Sequence, residues 1–160
     1  MIRSYRQYDL EGVLAVINDG AEAWRGVIPS DQWHEPYMSV EALSKEIAAG
    51  VAFRVFEAEG RITGVMGAQP IQDVLLIRHA YVERDAQRQG VGSALIDDLL
   101  SRTTAPVLVG TWAAAAWAVG FYRKHGFEQV SDEDKNRLLR IYWSIPDRQI
   151  ETSVVLRLIP

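Results

Sequence analysis

The stretch Val82-Glu83-Arg84-Asp85-Ala86-Gln87-Arg88-Gln89-Gly90-Val91-Gly92-Ser93-Ala94-Leu95 decides the fold. It leaves an apolar strand, crosses a polar loop and enters a run in which Val91, Leu95 and Leu99 share one helical face. The first turn of a helix leaves backbone N–H groups without partners, and the helix dipole makes that end favourable for negative charge. Glycines at 90 and 92 withhold side chains that would keep a pyrophosphate off the backbone, and Arg84 and Arg88 bring positive charge nearby. In outline this is an anion cradle. It is neither a dinucleotide fingerprint, because Leu95 stands where the third glycine belongs, nor a P-loop, because the lysine is missing. A glycine-containing helix start that binds nothing is the competing reading.

Upstream, period-two runs at Val51–Phe56 and Ile62–Met66 flank Ala58-Glu59-Gly60-Arg61, a hairpin signal, and a strand at Val74–Val82 follows Pro70. Nearer the start, Ile2–Tyr5 reads as a strand. Leu10, Val13, Leu14 and Ile17 recur at helical spacing between a capping Asp9 and a terminating Gly20. Trp24–Ser39 has no steady period and reads as a long loop, after which Ser39 caps a helix through Ile47. Downstream lie a strand at Val107–Trp112, a helix from about Ala114 to His125 stopped by Gly126, and a strand at Phe127–Val130. A helix at Ser131–Trp143 with Ser131 and Asp134 as a capping box, and a strand at Ile150–Leu158, complete the chain. This order predicts an α/β (α+β) fold in one domain over residues 1–160, with helices on both faces of a mixed, mostly antiparallel twisted sheet.

Composition narrows the function. A chain of 160 residues with 48% hydrophobic content suits one packed core. The formal charge of −4 provides no basic field for a nucleic acid, so an anionic ligand has to be held locally. No stretch approaches the ~18 apolar residues of a membrane span, and a cytoplasmic location is the expectation. Cysteine is absent, which removes disulfides and every thiol nucleophile. His34, His79 and His125 share no ligand spacing, so no metal is expected.

Two separated motifs resemble the GNAT superfamily of acetyl-CoA-dependent N-acetyltransferases. Gln87-Arg88-Gln89-Gly90-Val91-Gly92 matches the coenzyme A signature of that family, and Ala118-Val119-Gly120-Phe121-Tyr122-Arg123-Lys124-His125-Gly126-Phe127 matches its tyrosine motif. The resemblance implies that Gln87 through Ser93 hold the coenzyme at the helix start, that the backbone of Ala80, Tyr81 and Val82 holds its pantetheine arm, and that the sheet splays between the strands ending at Val82 and Trp112. It implies acetyl-CoA as co-substrate, a small-molecule or peptide amine as acceptor, and Tyr122 as the general acid that protonates the departing thiolate. With no cysteine for an acyl-enzyme, direct attack in a ternary complex is expected. A coenzyme A or acyl-CoA sensor without turnover is the alternative, and a hydrolase using Ser93 with a histidine is a rival weakened by the missing G-x-S-x-G elbow.

The base and the acceptor are less legible. Strand alternation places Arg78 with Ala80 and Val82, and His79 with Ile77 and Tyr81. The resemblance favours the Val82 face for chemistry, so Arg78 is the candidate to bind a substrate carboxylate and His79 points away. His34 and Glu35, in the loop that walls the acceptor site in the family, and Trp112, at the end of its strand, are further candidates for the acceptor. Core packing is the ordinary use of Trp112 and Trp117. Ala115 stands where many members carry an asparagine that contacts coenzyme A. The Ser131–Trp143 helix is expected to cover the site or to form a homodimer contact.

Overall fold

The computed structural model describes residues 1–160. A short strand, β1 (Ile2–Ser4), precedes α1 (Leu10–Gly20), whose Val13, Val16 and Ile17 are buried. Asp9 does not cap α1 as its position suggested. Its carboxylate instead accepts from the Arg6 N–H at 2.7 Å and from the Arg3 guanidinium at 2.8 and 3.0 Å, which fastens β1 to the helix entrance. Single 3-10 turns at Ala21–Trp24 and Ser30–Gln32 punctuate the long segment before α2 (Val40–Ala48). Ser39 caps that helix, its Oγ accepting from the Ala42 N–H at 3.1 Å.

The hairpin forms as its period requires. β2 (Ala52–Ala58) and β3 (Arg61–Ile71) pair across a turn in which Glu59 and Gly60 both take positive φ, 53° and 77°. β3 runs on through Pro70 and pairs with β4 (Val74–Val82). There follow α3 (Val91–Leu100), β5 (Val107–Trp112), α4 (Ala116–Lys124), β6 (Phe127–Gln129) and α5 (Asp132–Tyr142), the last capped by Ser131 Oγ on the Asp134 N–H at 3.2 Å. The final strand is shorter than its apolar run suggested. Ile150 belongs to a short helix, α6 (Asp147–Glu151), and β7 covers only Ser153–Leu158. The buried Lys135 of α5 holds α6 in place, its Nζ donating to the Ile150 carbonyl at 3.1 Å.

The seven strands lie in the order β1-β2-β3-β4-β5-β7-β6, antiparallel except for the parallel pair β4 and β5. One face carries α1 and α2 over Val51, Phe53, Val55 and Val65, and the other carries α3 and α4 over Met66, Ile77, Val109 and Leu156. Gly64 lets α3 approach, because a Cβ there would lie 2.5 Å from Val91 Cγ1.

The central pair is where the sheet opens. β4 and β5 pair only at Leu75–Val107, Leu76–Leu108 and Ile77–Val109, and beyond Ile77 they part. A bulge sits at the point of parting: Gly67 faces Arg78 and Val65 faces Tyr81, so Met66 is opposed by both His79 and Ala80, and His79 takes φ 55°. The extra residue reverses strand parity. Leu75 and Ile77 before it, and Ala80 and Val82 after it, all pack on the α3 side, whereas Tyr81 packs on the α1 side. The expectation that Arg78 shares the face of Ala80 and Val82 is therefore corrected, since simple alternation does not survive the bulge.

Candidate active site

A cleft of about 590 Å³ fills the splay, and it gathers residues from both faces of the sheet. At α3, Gly90 is the N-cap with φ 80°, and the first helical bond runs from the Ala94 N–H to the Gly90 carbonyl at 2.9 Å. The amides of Val91, Gly92 and Ser93 therefore have no acceptor in the protein. A Cβ built on Gly90 meets nothing within 4 Å, so the approach to these amides is open. The cradle fits a pyrophosphate by the chemistry of its donors.

The loop before it is held by its own glutamines. Gln87 Nε2 donates to the Val82 carbonyl at 3.2 Å, and Gln89 Nε2 donates to the Asp85 carbonyl at 3.4 Å, which turns Gln89 away from the cleft. Arg84 does not serve the cradle. It bonds Asp19 of α1 through its backbone N–H at 2.7 Å and its guanidinium at 3.1 Å. Burial alone would raise the Asp19 carboxyl, but these bonds outweigh it and hold the carboxyl below its ordinary range. The cations that line the cleft near the helix start are the exposed Arg88 and Lys124 of α4. Lys124 lies within the tyrosine motif and went unread because charge in the last turn of a helix already has a structural use.

Ser93 has a neighbour that the sequence kept apart by 32 residues. Its Oγ lies 3.1 Å from His125 Nε2, and His125 Nδ1 lies 3.6 Å from Asp97 Oδ1. Ser93 and a histidine, the pair of the hydrolase rival, are thus drawn together, but at the first turn of α3 beside the unpaired amides. His125 packs on Phe121, with ring centroids 4.8 Å apart.

Along the open edge, Ala80, Tyr81 and Val82 line the cleft from β4, and Val109 to Trp112 line it from β5. The Tyr81 side chain turns to the α1 side, where its buried hydroxyl accepts from Trp24 Nε1 at 3.0 Å. Tyr122 projects from α4 between Phe121 and Phe127, with centroids 5.2 and 5.6 Å away. It is 6% exposed, lines the cleft, and its hydroxyl has no hydrogen-bond partner in the protein. Burial pushes its phenol well above the ordinary tyrosine value, so the hydroxyl keeps its proton at neutral pH. Ala115, where an asparagine is common in the resembling family, is fully buried against Trp24 and Ile28.

Aromatic residues wall another part of the cleft. Trp24, Tyr37 and Trp112 line it, with Trp143 and Ile145 beyond α5, so that this end of the chain covers the cleft. Trp117 is not core: it is half exposed and stacks on Trp24. His34 and Glu35 do not reach the cleft. Both are exposed, and Glu35 accepts from Arg25 at 2.8 Å and from Trp33 Nε1 at 3.1 Å. Arg78 lines the cleft with its charge already engaged, Nη1 on Gln69 Oε1 at 2.9 Å and Nη2 on Glu46 Oε1 at 3.0 Å. His79 lines it too, its Nε2 paired with the other oxygen of the same Glu46. Glu46 was missed because it belongs to α2, far in sequence from either motif.

Residues 6–141 match the profile of a family described as Acetyltransferase (GNAT) domain. Among solved structures, the PaiA N-acetyltransferase from Thermoplasma acidophilum, in complex with coenzyme A, superposes with a TM-score of 0.74 at 17% identity, covering 100% of this chain and 98% of that one. The ribosomal-protein-S18-alanine N-acetyltransferase from Escherichia coli gives 0.70 at 18% identity, over 99% and 92% of the two chains. Human N-acetyltransferase 8 is 28% identical over 91 residues, 51% of this chain and 40% of that protein. With a family match across most of its length, both motifs in place and the sheet splayed between β4 and β5, the chain belongs to the GNAT acetyltransferase family.

Proposed function

We propose that the protein transfers an acetyl group from acetyl-CoA to an amine by direct attack in a ternary complex. The observation that carries this reading is that the unpaired amides of Val91, Gly92 and Ser93 and the unbonded hydroxyl of Tyr122 line one continuous cleft. The α3 start and Arg88 hold the coenzyme phosphates, and the open edge of β4 at Ala80 to Val82 holds the arm that leads to the thioester. When bound there, acetyl-CoA supplies the activated acyl carbon. The attacking nitrogen forms the new N–C bond as the C–S bond breaks, and Tyr122 gives its proton to the departing sulfur. Burial suits Tyr122 to this role by keeping it protonated. A sensor without turnover gives no use for that hydroxyl, since a phenylalanine would pack as well.

Acetyl-CoA is supplied with a panel of acceptors: alanine- and methionine-initiated peptides, free amino acids, spermidine and tryptamine. Free thiol is followed together with the mass of the acceptor. Thiol release that depends on the amine, with an acetylated product, is the expected result. Coenzyme A binding with no transfer to any acceptor supports the sensor instead.

A further inference from the structure

We infer that His79 and Glu46 form the base that takes the proton from the acceptor amine, a reading that rests on the acetyl-transfer function above. The bulge in β4 creates the arrangement. It holds His79 at φ 55° in a residue that lines the cleft, with its ring on the α1 and α2 side against Phe53 and Glu46. The buried His79 Nε2 and Glu46 Oε2 face one another and have no other partner, which places the ring proton on Nε2. Nδ1 then carries the lone pair. It bonds to no protein atom and, unlike Nε2, is reached by solvent, in a residue that lines the cleft.

A carboxylate that fixes a histidine tautomer and leaves the second nitrogen free toward a cavity is the arrangement of a general base. The groups around the ring agree with this use. Phe53 of β2 packs beside it at 6.3 Å, Gln69 of β3 is neutral and held by Arg78, and the charges are Glu46 of α2 and Arg78 of the same strand. Arg78 occupies the other Glu46 oxygen at 3.0 Å. Burial alone would raise the Glu46 carboxyl, yet His79 and Arg78 hold it below its ordinary range, so Glu46 stays the anion that orients the ring. The proton balance closes: the amine nitrogen loses one proton to His79 Nδ1, the sulfur gains one from Tyr122, and both side chains are restored through solvent.

The test combines two substitutions with a spectrum. Asparagine tolerates left-handed backbone and has no basic nitrogen, so His79→Asn keeps the bulge and removes the base. With the panel amine that the wild type acetylates fastest, kcat should fall by ~10²–10⁴-fold while coenzyme A affinity, read by calorimetry, stays unchanged. The acidic limb of the kcat profile that is due to His79 should vanish, and the ratio of variant to wild type removes the amine's own ionisation. Glu46→Gln removes the anion that fixes the ring tautomer, so kcat should fall while coenzyme A affinity stays unchanged. Nitrogen NMR of the wild type, which needs no acceptor, should show the proton on Nε2 and a bare Nδ1. A proton on Nδ1, or a His79→Asn enzyme with wild-type rate and limb, overturns the proposal. Failure of the wild type itself to acetylate any amine removes the transfer reading instead.

Discussion

Trp24 and Trp117 stack with ring centroids 5.4 Å apart and planes 25° from parallel. One comes from the segment after α1 and the other from α4, elements on opposite faces of the sheet, and they meet only because β4 and β5 have parted. The contact therefore clamps the two faces where the sheet itself no longer joins them. A double-mutant cycle with Trp24→Leu and Trp117→Leu, read by urea unfolding, should give a coupling of about 0.5–1.5 kcal/mol. A coupling of zero would make the contact incidental.

The cradle has its own test. Gly90 takes φ 80° and has open space where a Cβ would project. Asparagine accepts that backbone at small cost, whereas its side chain intrudes on the approach to the amides of Val91 to Ser93. Gly90→Asn should fold with a melting temperature near that of the wild type and bind coenzyme A at least ~10-fold more weakly by calorimetry, a loss of about 1.4 kcal/mol. Unchanged affinity in the folded variant would remove the helix start from the coenzyme site.

The strand-loop-helix of β4 and α3 was legible because glycine placement and helical period are local signals, whereas Tyr122 was singled out by the resemblance of its motif. Arg78 was assigned to the wrong face for a physical reason. Alternation along Val74–Val82 presumes an unbroken pleat, and the bulge at His79 inserts one residue that no period announces. Glu46 and Lys124 escaped because a charged residue on an amphipathic helix has the same local pattern whether it faces solvent or a cleft. The meeting of Ser93 with His125, and the walling of the cleft by Trp143 and Ile145, are tertiary facts that no window of sequence contains. The boundary at Ile150 failed because its apolar run suits a buried helix face as well as a strand.

Asp9 sets a pH dependence of stability. Hydrogen bonds from Arg3 first, joined by the Arg6 N–H and opposed by burial, hold its carboxyl below the ordinary range. A carboxyl depressed in the folded state stabilises fully above its unfolded value of about 3.9 and loses that contribution as pH falls through the folded value. Asp9→Asn should cost about 1.5–3 kcal/mol at pH 7, the worth of a charged hydrogen bond in a buried setting, by urea unfolding. The difference from the wild type should shrink as pH drops below about 4. A difference that stays constant down to pH 2 would contradict the assignment.

The catalytic account rests most directly on Tyr122. Tyr122→Phe keeps the ring between Phe121 and Phe127 and removes only a hydroxyl that bonds to nothing in the protein. Folding and acetyl-CoA affinity should therefore survive. The measurement is the single-turnover rate of acetyl transfer to the panel amine, which isolates the chemical step from product release. A fall of ~10²–10⁴-fold with donor binding unchanged is the predicted result, since general acid catalysis is worth about that much. A single-turnover rate near that of the wild type would contradict the account, leaving Tyr122 a packing residue and the sulfur to depart without its proton.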